Sequence, residues 1–179
     1  MNKIEPKLIV VLTLIMICSA TGLTYLYQVT SPIIEAHAQK KKKEAILKVL
    51  PGAKEYEEVT KNGLTLYKGF DDAGNEVGYA FENSGQGFQS VLKIMVGLDL
   101  KNKKLLKVKI LNQAETPGLG ARITEQQFKS QFEGKSFADS FTAKKDVDSI
   151  SGATISSQAM SDVIKNAIKQ VQQAYGGGE

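Results

Sequence analysis

The chain has 179 residues and a formal net charge of +4, which is enough for one domain with its own core and one additional element. Its single cysteine, Cys18, and single histidine, His37, are too few for a disulfide, an iron–sulfur cluster, a haem ligand pair or a zinc site. Any redox role must therefore use an organic cofactor or a partner's metal, and we predict no metal site and no catalytic residue. The lysine-rich segments 40–43 and 101–109 contain no aromatic residues, so they predict solvated lysines and no nucleic-acid partner.

The first predicted element is a transmembrane helix over residues 8–27. This stretch carries no charge, and at about 1.5 Å per residue it spans roughly 30 Å, the thickness of the bilayer core. Residues 1–7 are then a cytoplasmic N-terminus. A cleaved signal peptide is the alternative, with a weak cleavage site at 19–22. We favour a retained helix because apolar sequence resumes after that site.

A helical stalk is predicted over residues 28–52. Pro32 marks a bend or a new helix start, and Pro51-Gly52 ends the helix. The lysines at 40–43 could contact anionic lipid headgroups. A strict count of flanking positive charges places the following domain in the cytoplasm, but large domains cross a membrane largely regardless of charge.

Residues 53–179 are predicted to form one α+β domain with a mostly antiparallel sheet packed by helices. Alternating apolar residues and turn signals predict strands at 64–70, 77–81, 88–100 and 106–110. A helix over 124–132 is indicated by Thr124 as N-cap with Gln127 three residues later. A short strand is predicted at 146–150. The last helix, over 157–175, follows from a long apolar stripe, with Ser156 or Ser157 as its N-cap.

The segment Asp148-Ser149-Ile150-Ser151-Gly152-Ala153-Thr154 precedes that last helix. The first backbone N–H groups of a helix are a ready seat for a phosphate. Gly152 and Ala153 keep the loop slim and leave the Thr154 hydroxyl accessible, while Ser151, Ser156 and Ser157 can donate further hydrogen bonds. Asp148 could bind the loop backbone or help to place a metal ion during modification. An ordinary strand-to-helix turn with good capping residues is the alternative interpretation.

A second loop, Glu115-Thr116-Pro117-Gly118-Leu119-Gly120-Ala121-Arg122, follows the alternating strand. Its proline and glycines form a rigid turn whose backbone can approach a flat ligand closely. Leu119 at the tip could pack on such a ligand. A plain Pro-Gly turn, with a salt bridge between Glu115 and Arg122, is the alternative.

Both loops occur in this order downstream of a membrane anchor, and that combination resembles the FMN-binding domain family. Within it, the chain is most similar to the G subunit of the Rnf electron transport complex. The resemblance also includes Gly85-Gln86-Gly87 and Val96-Gly97-Leu98-Asp99. The related C subunit of the sodium-pumping NADH:quinone oxidoreductase shares both loops but is usually longer. One departure is Gln113, where many relatives carry a histidine.

The resemblance implies that a flavin transferase moves FMN from FAD onto Thr154 through a phosphoester bond. It implies further cofactor contacts from residues of both loops: Asp148, Ser151, Gly152, Ala153, Ser156, Glu115, Thr116, Gly118, Leu119 and Gly120. It also implies a domain outside the cytoplasm, on a single-pass protein of the cell membrane. The expected function is electron relay, alongside other membrane and peripheral subunits, in a complex that couples ferredoxin oxidation and NAD reduction to ion transport.

Two other functions stay open on the sequence alone. The first is an FMN relay in a sodium-pumping NADH:quinone oxidoreductase or an extracellular reductase. The second is an unmodified, membrane-tethered binding domain with no redox role.

Overall fold

The computed structural model describes residues 6–175, and it begins with one long helix, α1, over Pro6–Val49. The predicted N-terminal segment 1–7 therefore lies largely outside the described residues. Within α1 is a segment long and apolar enough to cross a membrane. The hydroxyls of Thr13, Thr21 and Thr24 each donate to the carbonyl four residues earlier at 2.8 Å. These polar groups are satisfied within the helix, as a lipid environment requires.

The helix continues through Pro32 instead of starting again there. A proline removes one hydrogen bond of the helical ladder, but helix propagation on both sides is cooperative. Residues up to Lys41 form one compact unit and residues from Lys42 onward form another. The last two turns of α1 therefore belong to the globular domain, although the pattern at Pro51-Gly52 predicted a stalk up to residue 52.

A five-stranded antiparallel sheet in the order β1-β2-β3-β4-β5 forms the centre of the domain. This confirms the α+β class and the antiparallel sheet. The strands are β1 Glu55–Lys61, β2 Leu64–Phe70, β3 Glu76–Gln86, β4 Val91–Asp99 and β5 Lys104–Asn112. The first strand is additional to the predicted ones, and β3 is longer than its predicted core at 77–81.

The sheet is covered on both faces, and β4 is buried between the two layers. One face packs against α3, which runs over Thr154–Tyr175. The other face packs against the end of α1, where Ala45, Ile46, Val49 and Leu50 meet Tyr67, Ala80 and Met95. A strand covered on both sides needs apolar residues at successive positions, and Ile94, Met95 and Val96 are completely buried.

One predicted helix is only partly confirmed, and one predicted strand is wrong. The predicted helix over 124–132 is a series of short turns, a 3-10 turn at Gly120–Thr124, α2 at Gln126–Lys129 and a 3-10 turn at Ser130–Phe132. Thr124 does not cap α2, because its hydroxyl donates to the carbonyl of Ala121 at 2.8 Å and closes the first turn.

The predicted strand at 146–150 is absent from the described residues, where only an isolated bridge joins Ala143 and Val147. The Asp146 carboxylate instead accepts the backbone N–H groups of Phe141 at 2.8 Å and Thr142 at 2.6 Å. Such side-chain bonds compete with strand pairing and turn this segment into an ordered loop.

Candidate functional site

A cavity of about 310 Å³ opens where three segments meet. These segments are the start of α3, the loop after β5 and the turn that precedes β4. Its walls are formed by Phe88, Glu115, Thr116, Leu119, Gly120, Gly152, Ala153, Thr154, Ile155 and Ser156. Both loops singled out from the sequence therefore contribute to one site.

The first wall is the start of α3, which begins at Thr154 and not at the predicted residue 157. The hydroxyl of Ser157 accepts the N–H of Ile150 at 3.0 Å and donates to the carbonyl of Ala153 at 2.9 Å. These two bonds close the preceding loop and fix where the helix starts. Gly152 has a φ of +75°, a conformation that glycine adopts without strain.

The N–H groups of Thr154, Ile155 and Ser156 point out of the first turn, and no acceptor for them is found within residues 6–175. This is the usual state of a helix N-terminus. Together with the helix dipole, such groups attract an anion.

Four hydroxyl groups lie near this helix start. Only one of them belongs to a cavity-lining residue and has no hydrogen-bond partner among residues 6–175. The Ser156 hydroxyl donates to Glu115, and the Ser157 hydroxyl donates to the carbonyl of Ala153. Ser151 is exposed and does not line the cavity. Thr154 is half-buried in the cavity wall, and its hydroxyl has no hydrogen bond to any described residue. Of the four, Thr154 alone can react with a ligand in the cavity without losing a protein contact.

The second wall is the loop after β5. The carbonyl of Thr116 accepts the N–H groups of Leu119 and Ala121, each at 3.1 Å. Gly118, with a φ of +76°, allows this tight turn but does not itself line the cavity. Leu119 stands at the tip with 45% of its surface exposed, as the sequence predicted for an apolar residue awaiting cover.

The third wall is the turn before β4, which sequence reasoning missed as part of the site. Phe88 in this turn is 59% exposed and lines the cavity. Ile155 on α3, also missed, is 60% exposed. With Leu119, these residues form an apolar rim. The sequence feature that could have identified Phe88 is its position, since it is an aromatic residue directly after the segment Gly85-Gln86-Gly87.

Glu115 joins all three walls. Only 4% of this residue is exposed, and its carboxylate accepts the Ser156 hydroxyl and backbone N–H groups of residues 88–90. Burial raises the pKa of the Glu115 carboxyl, but hydrogen bonds from Ser156, Gln89 and Ser90 outweigh it and hold the pKa below its usual value. Glu115 is therefore ionised at neutral pH. Arg122, the alternative partner, pairs with Glu125 at 3.1 Å.

Two of the predicted site residues lie apart from the cavity, in addition to Gly118. Asp148 is exposed, and its backbone exchanges hydrogen bonds with the side chain of Gln131. Ser151 faces solvent.

The side chain of Gln113 accepts the N–H of Glu115. Over residues 6–175, no group of three His, Cys, Asp or Glu side chains is placed to hold a metal ion.

The cavity thus has two chemically different ends. Helix N–H groups and the Thr154 hydroxyl form a polar end suited to a phosphate, and the rim of Phe88, Leu119 and Ile155 is suited to a flat apolar ring. A ligand that joins a phosphate to a flat ring system, as FMN does, fits this arrangement.

Comparison with known proteins agrees with this chemistry. Residues 87–169 match the FMN-binding domain family. The chain is 35% identical to the G subunit of the ion-translocating oxidoreductase complex of Methanosarcina acetivorans, over 98% of each chain. It is 26% identical to the G subunit of the proton-translocating ferredoxin:NAD(+) oxidoreductase complex of Clostridium ljungdahlii, covering 93% of this chain and 91% of that one.

A solved structure shares the fold. The C subunit of the Na(+)-translocating NADH-quinone reductase from Parabacteroides distasonis superimposes with a TM-score of 0.64 at 19% identity, covering 82% of this chain and 97% of that one. The 35% identity with the Methanosarcina relative extends over nearly the full length of both chains, so this match is the more specific one. The chain therefore belongs to the G-subunit family of ion-translocating oxidoreductase complexes.

Proposed function

We propose that this protein is the electron-carrying subunit of a membrane-bound, ion-translocating ferredoxin:NAD+ oxidoreductase complex, with FMN bound covalently to Thr154. The observation that carries the proposal is Thr154, the first residue of a 22-residue helix, which lines the cavity and whose hydroxyl has no hydrogen-bond partner among residues 6–175. The names of the two G-subunit relatives support the assignment to an electron transport complex.

Different residues of the cavity would bind the phosphate and the ring of FMN. The N–H groups of Ile155 and Ser156 would bind the phosphate, and Phe88 and Leu119 would cover the ring. When bound, FMN supplies one- and two-electron redox chemistry. The protein itself binds, orients and shields the group.

Attachment requires a partner enzyme. A flavin transferase would use FAD, so that the oxygen of Thr154 forms a bond to the FMN phosphorus while the pyrophosphate bond breaks and AMP leaves. The proton of the hydroxyl is taken up by a base of the transferase. The half-buried position of Thr154 at an open cavity leaves room for such an enzyme to approach.

The test is flavin fluorescence of the denatured protein in a gel after co-expression with a flavin transferase. We expect a fluorescent band from wild type and from Thr154→Ser, and none from Thr154→Ala. Ser149→Ala is the matched control, because Ser149 carries a hydroxyl five residues away that does not line the cavity, and it should retain the band. Fluorescence that survives Thr154→Ala would show that the attachment site is elsewhere.

We also propose that α1 anchors the protein in the cell membrane with the domain outside the cytoplasm. A covalent bond suits this location, because a cofactor lost outside the cytoplasm is not replaced by diffusion. The apolar segment of α1 supports the anchor, and lipid is then a direct partner. A sodium-pumping NADH:quinone oxidoreductase is the less favoured assembly, since likeness to its C subunit rests on the fold at 19% identity.

A further inference from the structure

We propose that Glu115 is the positioning residue of the flavin site, which holds its three walls together and makes the bound flavin harder to reduce. This inference rests on the proposed function, because it assigns a role toward FMN to a residue that is not its attachment point. It differs from a plain cofactor contact, since Glu115 acts through the segments that it binds and through its charge.

The contacts of the carboxylate come from segments far apart in the chain. Its Oε1 accepts the N–H of Gln89 at 3.0 Å, the N–H of Ser90 at 3.1 Å and the Ser90 hydroxyl at 3.2 Å. Its Oε2 accepts the Ser156 hydroxyl at 2.6 Å and the N–H of Phe88 at 3.3 Å. One side chain therefore ties the turn before β4 and the first turn of α3 to the loop after β5.

The backbone closes tightly around this carboxylate. A Cβ atom at Gly87 would lie 2.6 Å from Oε1, and a Cβ atom at Gly120 would lie 2.9 Å from Oε2 and 2.6 Å from the Ser156 hydroxyl. Real Cβ atoms essentially never approach so closely, so a side chain at either position would displace the carboxylate or its neighbours. The surrounding backbone therefore leaves space for the Glu115 carboxylate, which is held by N–H and hydroxyl donors.

The charge of Glu115 stays uncompensated within the described part of the chain. No lysine, arginine or histidine among residues 6–175 forms an ion pair with it. Hydrogen-bond donors spread the charge but do not cancel it. A fixed negative charge in the cavity wall disfavours any added electron nearby, so it should lower the reduction potential of FMN in this cavity.

The same carboxylate also selects the hydroxyl to be modified. Ser156 is only 2% exposed, and its hydroxyl donates its hydrogen bond to Glu115. Thr154, two residues earlier, has no such partner within residues 6–175. Glu115 thereby withholds one hydroxyl and leaves the other free for esterification.

The experiment compares charge removal with donor removal in the full-length protein, co-expressed with a flavin transferase and extracted in detergent. Glu115→Gln removes the charge and retains an acceptor, so the midpoint potential should become more positive than in wild type. Ser156→Ala retains the charge and removes its shortest hydrogen bond, so the potential should stay equal or become more negative. A merely structural role would move both variants in the same direction.

Glu125→Gln is the matched control, because Glu125 is a half-exposed carboxylate in the adjacent segment that pairs with Arg122. Its potential and flavin content should equal those of wild type. In Glu115→Ala the three walls lose their common contact, and we expect flavin attachment to fall about tenfold. A Glu115→Gln potential equal to that of Glu125→Gln would overturn the proposal.

Measurements on flavin-free protein distinguish failure of the proposed function from failure of the positioning role of Glu115. Wild type without any flavin would overturn the proposed function. The thermal unfolding of apoprotein carrying Glu115→Gln, Ser156→Ala or both would still test the positioning role. We expect the double variant to lose clearly less than the sum of the single losses, and additive losses would contradict the role.

Discussion

At the scale of single residues, Asp146 organises backbone that belongs to neither helix nor strand. Its carboxylate accepts the Ser140 hydroxyl at 2.8 Å and the N–H groups of Phe141 and Thr142, and Lys135 Nζ lies 3.7 Å away. Burial raises the pKa of Asp146, but the bonds from Thr142, Ser140 and Phe141 outweigh it and lower the pKa to about 2. The ionised form is therefore part of the folded state.

This pKa predicts a pH-dependent contribution to stability. The folded pKa of about 2 lies below the ordinary value of 3.8, which corresponds to about 2 kcal/mol. That contribution is complete above pH 4 and is lost as the pH falls from about 4 to about 2. Asp146→Asn should therefore lower the free energy of unfolding at pH 7 by about 2 kcal/mol, and the difference from wild type should vanish near pH 2.

Denaturant unfolding followed by circular dichroism at several pH values measures this effect. Asp72→Asn is the control, because Asp72 is exposed and has no side-chain hydrogen bond to a described residue. It should change stability by less than about 0.5 kcal/mol at every pH. An Asp146→Asn deficit that persists unchanged at pH 2 would contradict the assigned role.

The same residue shows what local sequence patterns could not predict. Residues 146–150 have strand-like spacing, yet Asp146 binds the backbone of residues five and four positions earlier. Similarly, Ser156 and Ser157 were equally good N-caps by local rules, and tertiary contacts decided otherwise. The Ser156 hydroxyl donates to Glu115, 41 residues away in sequence, and the Ser157 hydroxyl closes the loop at Ile150 and Ala153, so α3 starts at Thr154. Thr154 and Leu119 were predictable because short-range loop chemistry marks them.

At the scale of elements, the end of α1 is held on the sheet by packing more than by charge. Ile46 and Val49 are fully buried against Met95 and its neighbours. Lys42 and Lys93 reach Glu82 at 3.1 and 3.3 Å, but all three side chains are partly exposed. Exposed ion pairs contribute at most about 1 kcal/mol, whereas truncating a buried isoleucine costs about 2–5 kcal/mol.

Two substitutions separate these contributions. Ile46→Ala should lower the free energy of unfolding by about 2–5 kcal/mol, independent of salt. Glu82→Gln should lower it by less than about 1 kcal/mol, and its effect should fade at high salt. Denaturant unfolding at low and high salt measures both. A larger loss from Glu82→Gln than from Ile46→Ala would show that the ion pairs dominate.

Elements with strong periodicity were predictable, and those held by side-chain contacts were not. The stripe of α3 contains Met160, Ile164, Ala167 and Val171, all completely buried, and its spacing alone predicts the helix. Strand β1 was missed, because at the edge of the sheet it buries little and its residues EYEEVTK show no clear alternation. The helix predicted over 124–132 is confirmed only from Gln126 to Phe132, and the Thr124 hydroxyl bonds within the separate turn before it.

At the scale of the whole molecule, the family match and the cavity coincide. Residues 87–169 include all ten residues that line the cavity, whereas α1 and the strands β1 to β3 lie outside this range. The first three strands complete the sheet and the end of α1 packs on it, while the second half of the domain contains the whole cavity. This division agrees with a domain whose site is built on loops and one helix N-terminus.

The orientation of the domain depends on which lysines count as flanking charges. The segment 40–43 follows the apolar run, but Lys42 belongs to the folded domain, where it contacts Glu82 and lies over the ring of Tyr67 at 5.1 Å. A lysine that folds with a large domain weighs less in topology than one in a short loop. The charge count on this side of the apolar run is therefore reduced to Lys40 and Lys41, which lie outside the folded domain.

Labelling with a membrane-impermeant maleimide tests this orientation. In a Cys18→Ala background, we expect Asp72→Cys, at an exposed turn of the domain, to react in intact cells. Asn2→Cys, ahead of the apolar segment, is the matched control and should react only after the cells are permeabilised. The reverse pattern would place the cavity in the cytoplasm, where lost FMN could be replaced by diffusion, and a covalent bond would then bring no advantage in retaining the cofactor.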